Sequence, residues 1–503
     1  MATVIGTFLI KFNLWYKSNV YLTEKHYTIR KKSYIIHTFL LKKGSAISLY
    51  QNQDKFINLK SIREFLKNIF LNRKSSNRTI KSGKFWFALD NAAKIYPAII
   101  NENVTAVFRL TVLLKQPVKI KPLQKAVLQA EKKFPFFRVQ LREGFFWYYL
   151  EHLPKHIPVE PDEHGLCRKF PKGSLLIRIP VKDKSISVEC SHILTDGTGA
   201  FKFFKTILIL YSAECSAEIS DEYRISETVY HISEEEYEDA YNRYFKAEIP
   251  PMVKRSKAFH LPYSLKSSPR FTWQYAIIPL KEIKEMAQTK EVSITAYLVS
   301  VYFFVLQEIH ESLNGFSRYK KQKKLRIQVP VNLRNIFPSK TKRNFSLFVM
   351  PEIDLRLGHY TFDEIVKSVY HQMKLETDEK LINKNISRNV GSERKLFVRG
   401  IPLFLKSLIL RLKYYSLGTS QYSGVLTNLG KIDLPDETAG LIDYFIMTPP
   451  PPNKILKISC GVAGFGNKLA LSFGNITHSQ EFEEKFLQFL HDQNISVKIE
   501  TNI

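Results

Sequence analysis

Cysteine is scarce in this 503-residue chain. The four residues, Cys167, Cys190, Cys215 and Cys460, lie far apart and show no CxxC spacing. Neither a zinc site nor a disulfide framework is expected from them; they read as ordinary reduced thiols of a cytosolic protein. Long hydrophobic runs are missing too. No stretch of 18 uncharged apolar residues occurs, so a spanning helix is not expected. The first residues make a poor signal peptide, because their apolar stretch lacks a basic lead-in and is cut by Lys11. No tandem repeat is visible.

Acidic residues are scarce in the first 84 residues. Residues 1–84 hold 17 Lys/Arg against Glu24, Asp54 and Glu64, and so carry about half of the formal net charge of +28. The remaining body is mildly basic. Uniform basicity would point to nucleic acid or an anionic membrane. Here no nucleic-acid partner is expected, and the uneven charge raises membrane contact for residues 1–84 alone. Within them, Phe56 to Lys74 places Leu59, Ile62, Leu66 and Ile69 at helical spacing among basic residues. That pattern fits an interfacial membrane helix. It fits better a helix packed on the body or a weakly ordered extension.

What is present suits a globular chain: 44% hydrophobic and 24% charged residues. The regular pattern starts near Phe85. Val104–Leu114 reads as a strand, Lys121–Lys133 as a helix, and Leu175–Val181 with Ser185–Cys190 as a hairpin around Lys182-Asp183-Lys184. A helix is expected over Ala200–Ser212. The acid-rich run EEEYEDAYNRYF and Pro250-Pro251 suggest a solvated crossover between two halves. Beyond it, strands are expected near Phe271–Ile278, Leu325–Val331, Gly424–Asn428, Ile455–Ala463 and Lys468–Phe473. Helices are expected over Ser293–Ser312, Phe362–Glu379 and Gln480–Gln493. The apolar segment Ile401–Leu417, with three basic residues, is expected to pack on its own protein rather than rest on a membrane. Strands and helices intermix, so the class is α/β (α+β). The expected divisions are a basic extension (1–84), a first half (85–225), a crossover linker (226–268) and a second half (269–503).

The informative motif is Ser191-His192-Ile193-Leu194-Thr195-Asp196-Gly197. Chance alone would give an HxxxDG match in this composition roughly 0.01 to 0.02 times. His192 follows a strand and precedes a loop and helix, a place where a side chain is held yet reachable. A neutral imidazole takes a proton from an attacking alcohol or amine at neutral pH and returns it to a leaving thiolate. Asp196 is not the expected base. Buried and paired with an arginine, it would hold the loop in shape. Gly197 would let the backbone turn tightly after it.

SHILTDG resembles the active-site motif of the coenzyme A-dependent acyltransferase superfamily. That group includes chloramphenicol acetyltransferase, plant BAHD-type acyltransferases, polyketide-associated acyltransferases and peptide-synthetase condensation domains. The chain is most similar to bacterial alcohol acetyltransferase-like proteins, through WFALDNAAKIYPAI, FPFFRVQL, GFFWYYLE, VPVNLRNIFPSKTKRNF and VLTNLG. The resemblance runs from about Phe85 to the C-terminus. It implies two similar halves, each a mixed sheet with helices, and a tunnel between them with the histidine at its middle. It implies that His192 is the base and that Asp196 binds an arginine of the second half, for which Arg334 is the candidate. Asn344 and Asn428 would line the tunnel, and Asn428 or Thr427 would help hold the oxyanion. The co-substrate would be an acyl-coenzyme A or an acyl carrier thioester, and the acceptor a small alcohol or amine. A carrier protein is a further partner this implies. No metal and no permanently bound cofactor are expected.

Two departures matter. Condensation domains and wax-ester synthases usually carry a second histidine just before the catalytic one, where this chain has Ser191. That favours an acetyltransferase-type enzyme over peptide-bond formation. The DFGWG motif of plant-type enzymes is absent. A non-catalytic docking module on the same scaffold is the competing reading. The expected location is cytoplasmic, with peripheral membrane attachment through residues 1–84 as the variant; those residues would otherwise be a translated leader.

Overall fold

The computed structural model describes residues 37–38, 49–50, 85–163, 165–215, 233–250, 255–268 and 270–500. The chain divides into two compact units, Met1–Asn77 and Arg78–Ile503. In the first, His37–Thr38 pairs antiparallel with Leu49–Tyr50. The helix expected over Phe56–Lys74 lies outside the described residues.

The second unit is built on sheets. Its strands are β1 (Trp86–Ala88), β2 (Val107–Leu114), β3 (Val139–Glu143), β4 (Tyr148–His152), β5 (Val159–Pro161), β6 (Ile177–Lys182), β7 (Ser185–Ser191), β8 (Thr272–Pro279), β9 (Lys324–Asn332), β10 (Ser346–Val349), β11 (Glu352–Asp354), β12 (Gly424–Ile432), β13 (Ile442–Thr448), β14 (Ile458–Phe465), β15 (Lys468–Asn475) and β16 (Lys498–Glu500). The longer helices are α1 (Ile120–Lys133), α2 (Gly197–Glu214), α3 (Leu280–Thr289), α4 (Ile294–Ser312), α5 (Phe362–Glu376), α6 (Glu379–Arg394), α7 (Leu403–Lys413) and α8 (Glu481–Asp492).

A five-stranded sheet has the order β13-β2-β7-β6-β5, and an eight-stranded sheet the order β10-β9-β12-β14-β15-β8-β16, with β11 also pairing β9. β1, β4 and β3 form a small third sheet. In the first sheet, β2 and β7 run antiparallel from Val107 opposite Ser191 to Leu113 opposite Ser185. Asp183, at φ 45°, makes the tight turn between β6 and β7. In α1, Leu123, Ala126, Val127 and Ala130 repeat at helical spacing and are buried with α2 in the first core. Pro135 ends that helix's register. The second core centres on α4, which is buried on nearly all sides and capped by Ser293 Oγ accepting from Ala296 N at 3.1 Å.

Two expectations need correction. The halves do not divide cleanly at residue 269, because β13 pairs with β2, from Ile442 opposite Leu114 to Thr448 opposite Arg109. A strand late in the sequence thus completes the first sheet. Gly461 on β14 allows this crossing: a Cβ there would sit 2.1 Å from Met447 O. Nor is the acid-rich crossover simply solvated. Its described part includes Tyr241, which is buried and packs with Phe345 in a small cluster of its own. Aromatic burial outweighs the charge of the neighbouring glutamates. Residues 226–232 and 251–254 of that linker lie outside the described residues.

Candidate functional site

The site begins where β7 runs out. Ser191 is the last strand residue, and His192 N still bonds Ala106 O at 2.9 Å, so the ladder holds the histidine backbone one step further. Ala106 stands at φ 54°, which ends the pairing. The chain then turns within SHILT, with Leu194 N bonding Ser191 O at 2.9 Å. Asp196 closes the loop as the cap of α2, its Oδ1 accepting from Gly199 N at 2.9 Å.

The other carboxylate oxygen of Asp196 reaches into the second half. Oδ2 accepts from Arg334 Nη1 at 2.9 Å and from Phe345 N at 2.8 Å. Both side chains of the pair are nearly inaccessible, at 7% for Asp196 and 6% for Arg334. Arg334 also donates to Thr341 O, Asn332 Oδ1 and Arg343 O. The charges are therefore paired and hydrogen-bonded, as burial requires. Thr195 Oγ1 adds a further tie, donating to Lys342 O at 2.6 Å.

Gly197 does not make the tight turn expected of it. It is the first residue of α2, and a Cβ there would meet only Leu429 Cδ1 at 3.7 Å. The glycine that close approach demands is Gly199. A Cβ there would lie 2.0 Å from Lys342 O and 2.1 Å from Thr195 Oγ1.

The imidazole of His192 is half-buried between two aromatic rings. Tyr96 stacks on it at 5.3 Å between centroids and 15° between planes; Phe108 lies at 4.6 Å and 37°. Burial pushes its pKa down from 6.5 to about 4. The Asp196 carboxylate, the Thr195 backbone and the Asn344 side chain pull the other way without offsetting it. The ring is thus neutral throughout the physiological range, the form a proton acceptor needs.

Asn344, expected along the tunnel, stands beside His192 and braces its backbone. Its Nδ2 donates to His192 O at 2.9 Å and to Asp90 Oδ2 at 3.0 Å. Through Nδ2 it is a buried strut between the histidine backbone and Asp90, and its Oδ1 takes no part in these two bonds. Asp90 Oδ1 in turn accepts from Ala93 N at 2.8 Å, at the start of the turn that carries Tyr96. Burial raises the Asp90 carboxyl from 3.8 to about 6, against the pull of Arg343. Asn428 is similarly engaged: Nδ2 donates to Thr295 Oγ1 at 2.8 Å and Oδ1 accepts from Gly430 N at 2.8 Å. Thr427 points the other way. Alternation along β12 puts Leu426 in the second core and Asn428 against α4, so Thr427 shares the face of Leu429, which packs on the first core.

The roles of Asp90, Tyr96, Phe108 and Gly199 were not legible as such. Asp90 and Tyr96 lie inside WFALDNAAKIYPAI, where the resemblance marks a segment without assigning its atoms. Among the described residues no cluster of three or more His, Cys, Asp or Glu could hold a metal ion.

A loop histidine at the end of a central strand, tied to a second sheet through a buried aspartate–arginine pair, belongs to a recognisable fold class. The chain has the two-lobed fold of condensation and chloramphenicol acetyltransferase-like domains. The first condensation domain of the calcium-dependent antibiotic synthetase, in complex with a substrate analogue, superposes with a TM-score of 0.53 over 82% of this chain and 99% of that one, at 12% identity. TRI3 trichothecene 15-O-acetyltransferase from Fusarium sporotrichioides gives 0.52 over 82% and 94%, at 10% identity. Polyketide synthase associated protein 5 from Mycobacterium tuberculosis gives 0.51 over 80% and 96%, at 11% identity. At such identities the likeness is one of fold. No family model and no curated protein matches the chain by sequence.

Proposed function

We propose that the protein is an acyltransferase of the alcohol acetyltransferase-like kind. It moves an acyl group from a coenzyme A or carrier thioester to an alcohol or amine, with His192 as general base. The observation that carries this reading is the neutral His192 ring, seated between Tyr96 and Phe108 at the end of β7. The fold likeness to an acetyltransferase and a condensation domain supports it.

The chemistry follows from the geometry. His192 accepts the proton of the acceptor's hydroxyl or amine as the oxygen or nitrogen attacks the thioester carbonyl. The carbonyl oxygen takes up negative charge, and the Thr427 hydroxyl is the candidate donor to it. The carbon–sulfur bond then breaks, and the imidazolium returns the proton to the leaving thiolate. Asp196 takes no part in proton transfer, because both its oxygens already accept bonds from Gly199, Arg334 and Phe345. It holds the loop, and its charge favours the transient imidazolium. A low resting pKa makes His192 a weaker base than an unperturbed imidazole, but wholly available.

Ser191 in place of a second histidine favours an acetyltransferase-type reaction over peptide-bond formation. The test is product formation. Acetyl-coenzyme A is incubated with the protein and a panel of alcohols and amines, and acylated products are sought by mass spectrometry. An ester or amide dependent on the protein supports the reading. Tight binding of an acyl carrier protein, with no product from any thioester, would replace it with the docking role.

A further inference from the structure

Helix α7 is built inside out. Of its described side chains only Leu403 and Lys406 are buried, while Phe404, Leu405, Leu408 and Leu412 are 63%, 42%, 54% and 62% exposed. Phe404, Leu408 and Leu412 stand four residues apart and form one stripe. One charged residue faces in: Lys406 Nζ bonds Phe146 O at 2.9 Å and lies 3.3 Å from the centre of the Trp147 ring. The segment Ile401–Leu417, expected to pack on its own protein, thus turns four large apolar side chains outward. Periodicity shows that a helix is two-faced but not which face meets the core.

The surroundings narrow what covers this stripe. Residues 394–413 hold six Lys/Arg and no acid, and Arg394, Lys395, Arg411 and Lys413 are exposed. Phe397, just upstream, is 70% exposed. The half-buried aromatic turn Phe145–Trp147 abuts the N-terminal end of the helix, where Leu403 N bonds Phe145 O at 2.9 Å. A second copy of the chain on this face would set like charges against each other. An anionic surface that also accepts apolar side chains matches both features. At about 16 Å, the helix suits lying in a bilayer interface rather than crossing it.

We propose that the α7 face docks the protein onto an anionic lipid bilayer, with Phe404, Leu408 and Leu412 inserted below the headgroups and the flanking lysines and arginines against them. This contact is separate from the one considered for residues 1–84. It also stands apart from acyl transfer, since binding is read without turnover.

The test is co-sedimentation of the full chain with phosphatidylcholine vesicles, with and without phosphatidylglycerol. Wild type is compared with the double variant Leu408→Glu/Leu412→Glu. Both substitutions are at exposed positions, so an unchanged thermal melt is expected. The expected result is phosphatidylglycerol-dependent binding that weakens with salt and falls at least roughly tenfold in the variant. A Leu408→Trp protein should show a blue-shifted emission quenched by brominated lipid. No vesicle binding by wild type, equal binding by the double variant, or a lipid-free dimer that the variant makes monomeric would each overturn the proposal.

Discussion

Asp196→Asn is the substitution whose consequences the structure specifies most fully. Asparagine is nearly the shape of aspartate and caps a helix equally well. With its oxygen in place of Oδ1 it keeps the bond from Gly199 N. Its NH₂ then faces Arg334 Nη1 and Phe345 N, two donors that aspartate Oδ2 accepted at 2.9 and 2.8 Å. Flipping the amide restores those acceptors and loses the cap. Either way the buried guanidinium has no counter-charge. Removing one partner of a buried pair costs about 3–5 kcal/mol. Arg334 retains Thr341 O, Asn332 Oδ1 and Arg343 O, which places the expected loss near the lower end, about 3 kcal/mol. His192 lies four residues upstream on the same loop, so turnover should drop by about a hundredfold as well. Chemical denaturation and steady-state kinetics read the two effects. A loss of less than about 1 kcal/mol, with turnover intact, would refute the claim that this pair shapes the loop.

Gly199→Ala should destabilise by about 2 kcal/mol or more, because Lys342 O is backbone and cannot move aside, whereas Gly197→Ala should fall within about 0.5 kcal/mol of wild type; equal melting temperatures for the two would contradict the close-approach argument. The acid limb of kcat/KM should lie near pH 4, since His192 stays neutral above that value and loses its proton-accepting form only below it; a limb at 6.5 would mean the ring is not desolvated in the working enzyme. Glu483, on α8, is buried with its Oε2 unpartnered, and burial raises its carboxyl from 4.5 to about 7. Its contribution to stability is therefore intact below pH 4.5 and lost as pH rises through 7, by about 3 kcal/mol in all. Glu483→Gln should remove that slope, and an unchanged pH dependence of unfolding would show that the carboxyl is not held protonated.

Much of this was legible in the sequence, for physical reasons that differ by element. The hairpin around Asp183 and the long helix after Ser293 carry local signals: alternation, turn chemistry and a cap. HxxxDG placed His192 and Asp196 together, and the salt bridge from Asp196 to Arg334 spans 138 residues that only the family resemblance bridged. What stayed hidden depends on packing between distant segments. Nothing local in Ile442–Thr448 says that the strand joins β2 rather than its own neighbours. Asn344 has the composition of a ligand-binding residue, yet Asp90 and His192 O take both bonds of its amide nitrogen. The outward turn of α7 reverses the usual assignment of an apolar face. Gly199 and Gly197 differ only in what stands opposite their Cα atoms.

The central claim is that His192 removes a proton from the acceptor. Thiol release from acetyl-coenzyme A tests it most directly, followed with each alcohol and amine for wild type and His192→Ala. The account predicts acceptor-dependent release by wild type that falls by two to four orders of magnitude, about the worth of a positioned base, in the variant. Release at equal rates from both proteins would show that His192 is not the base.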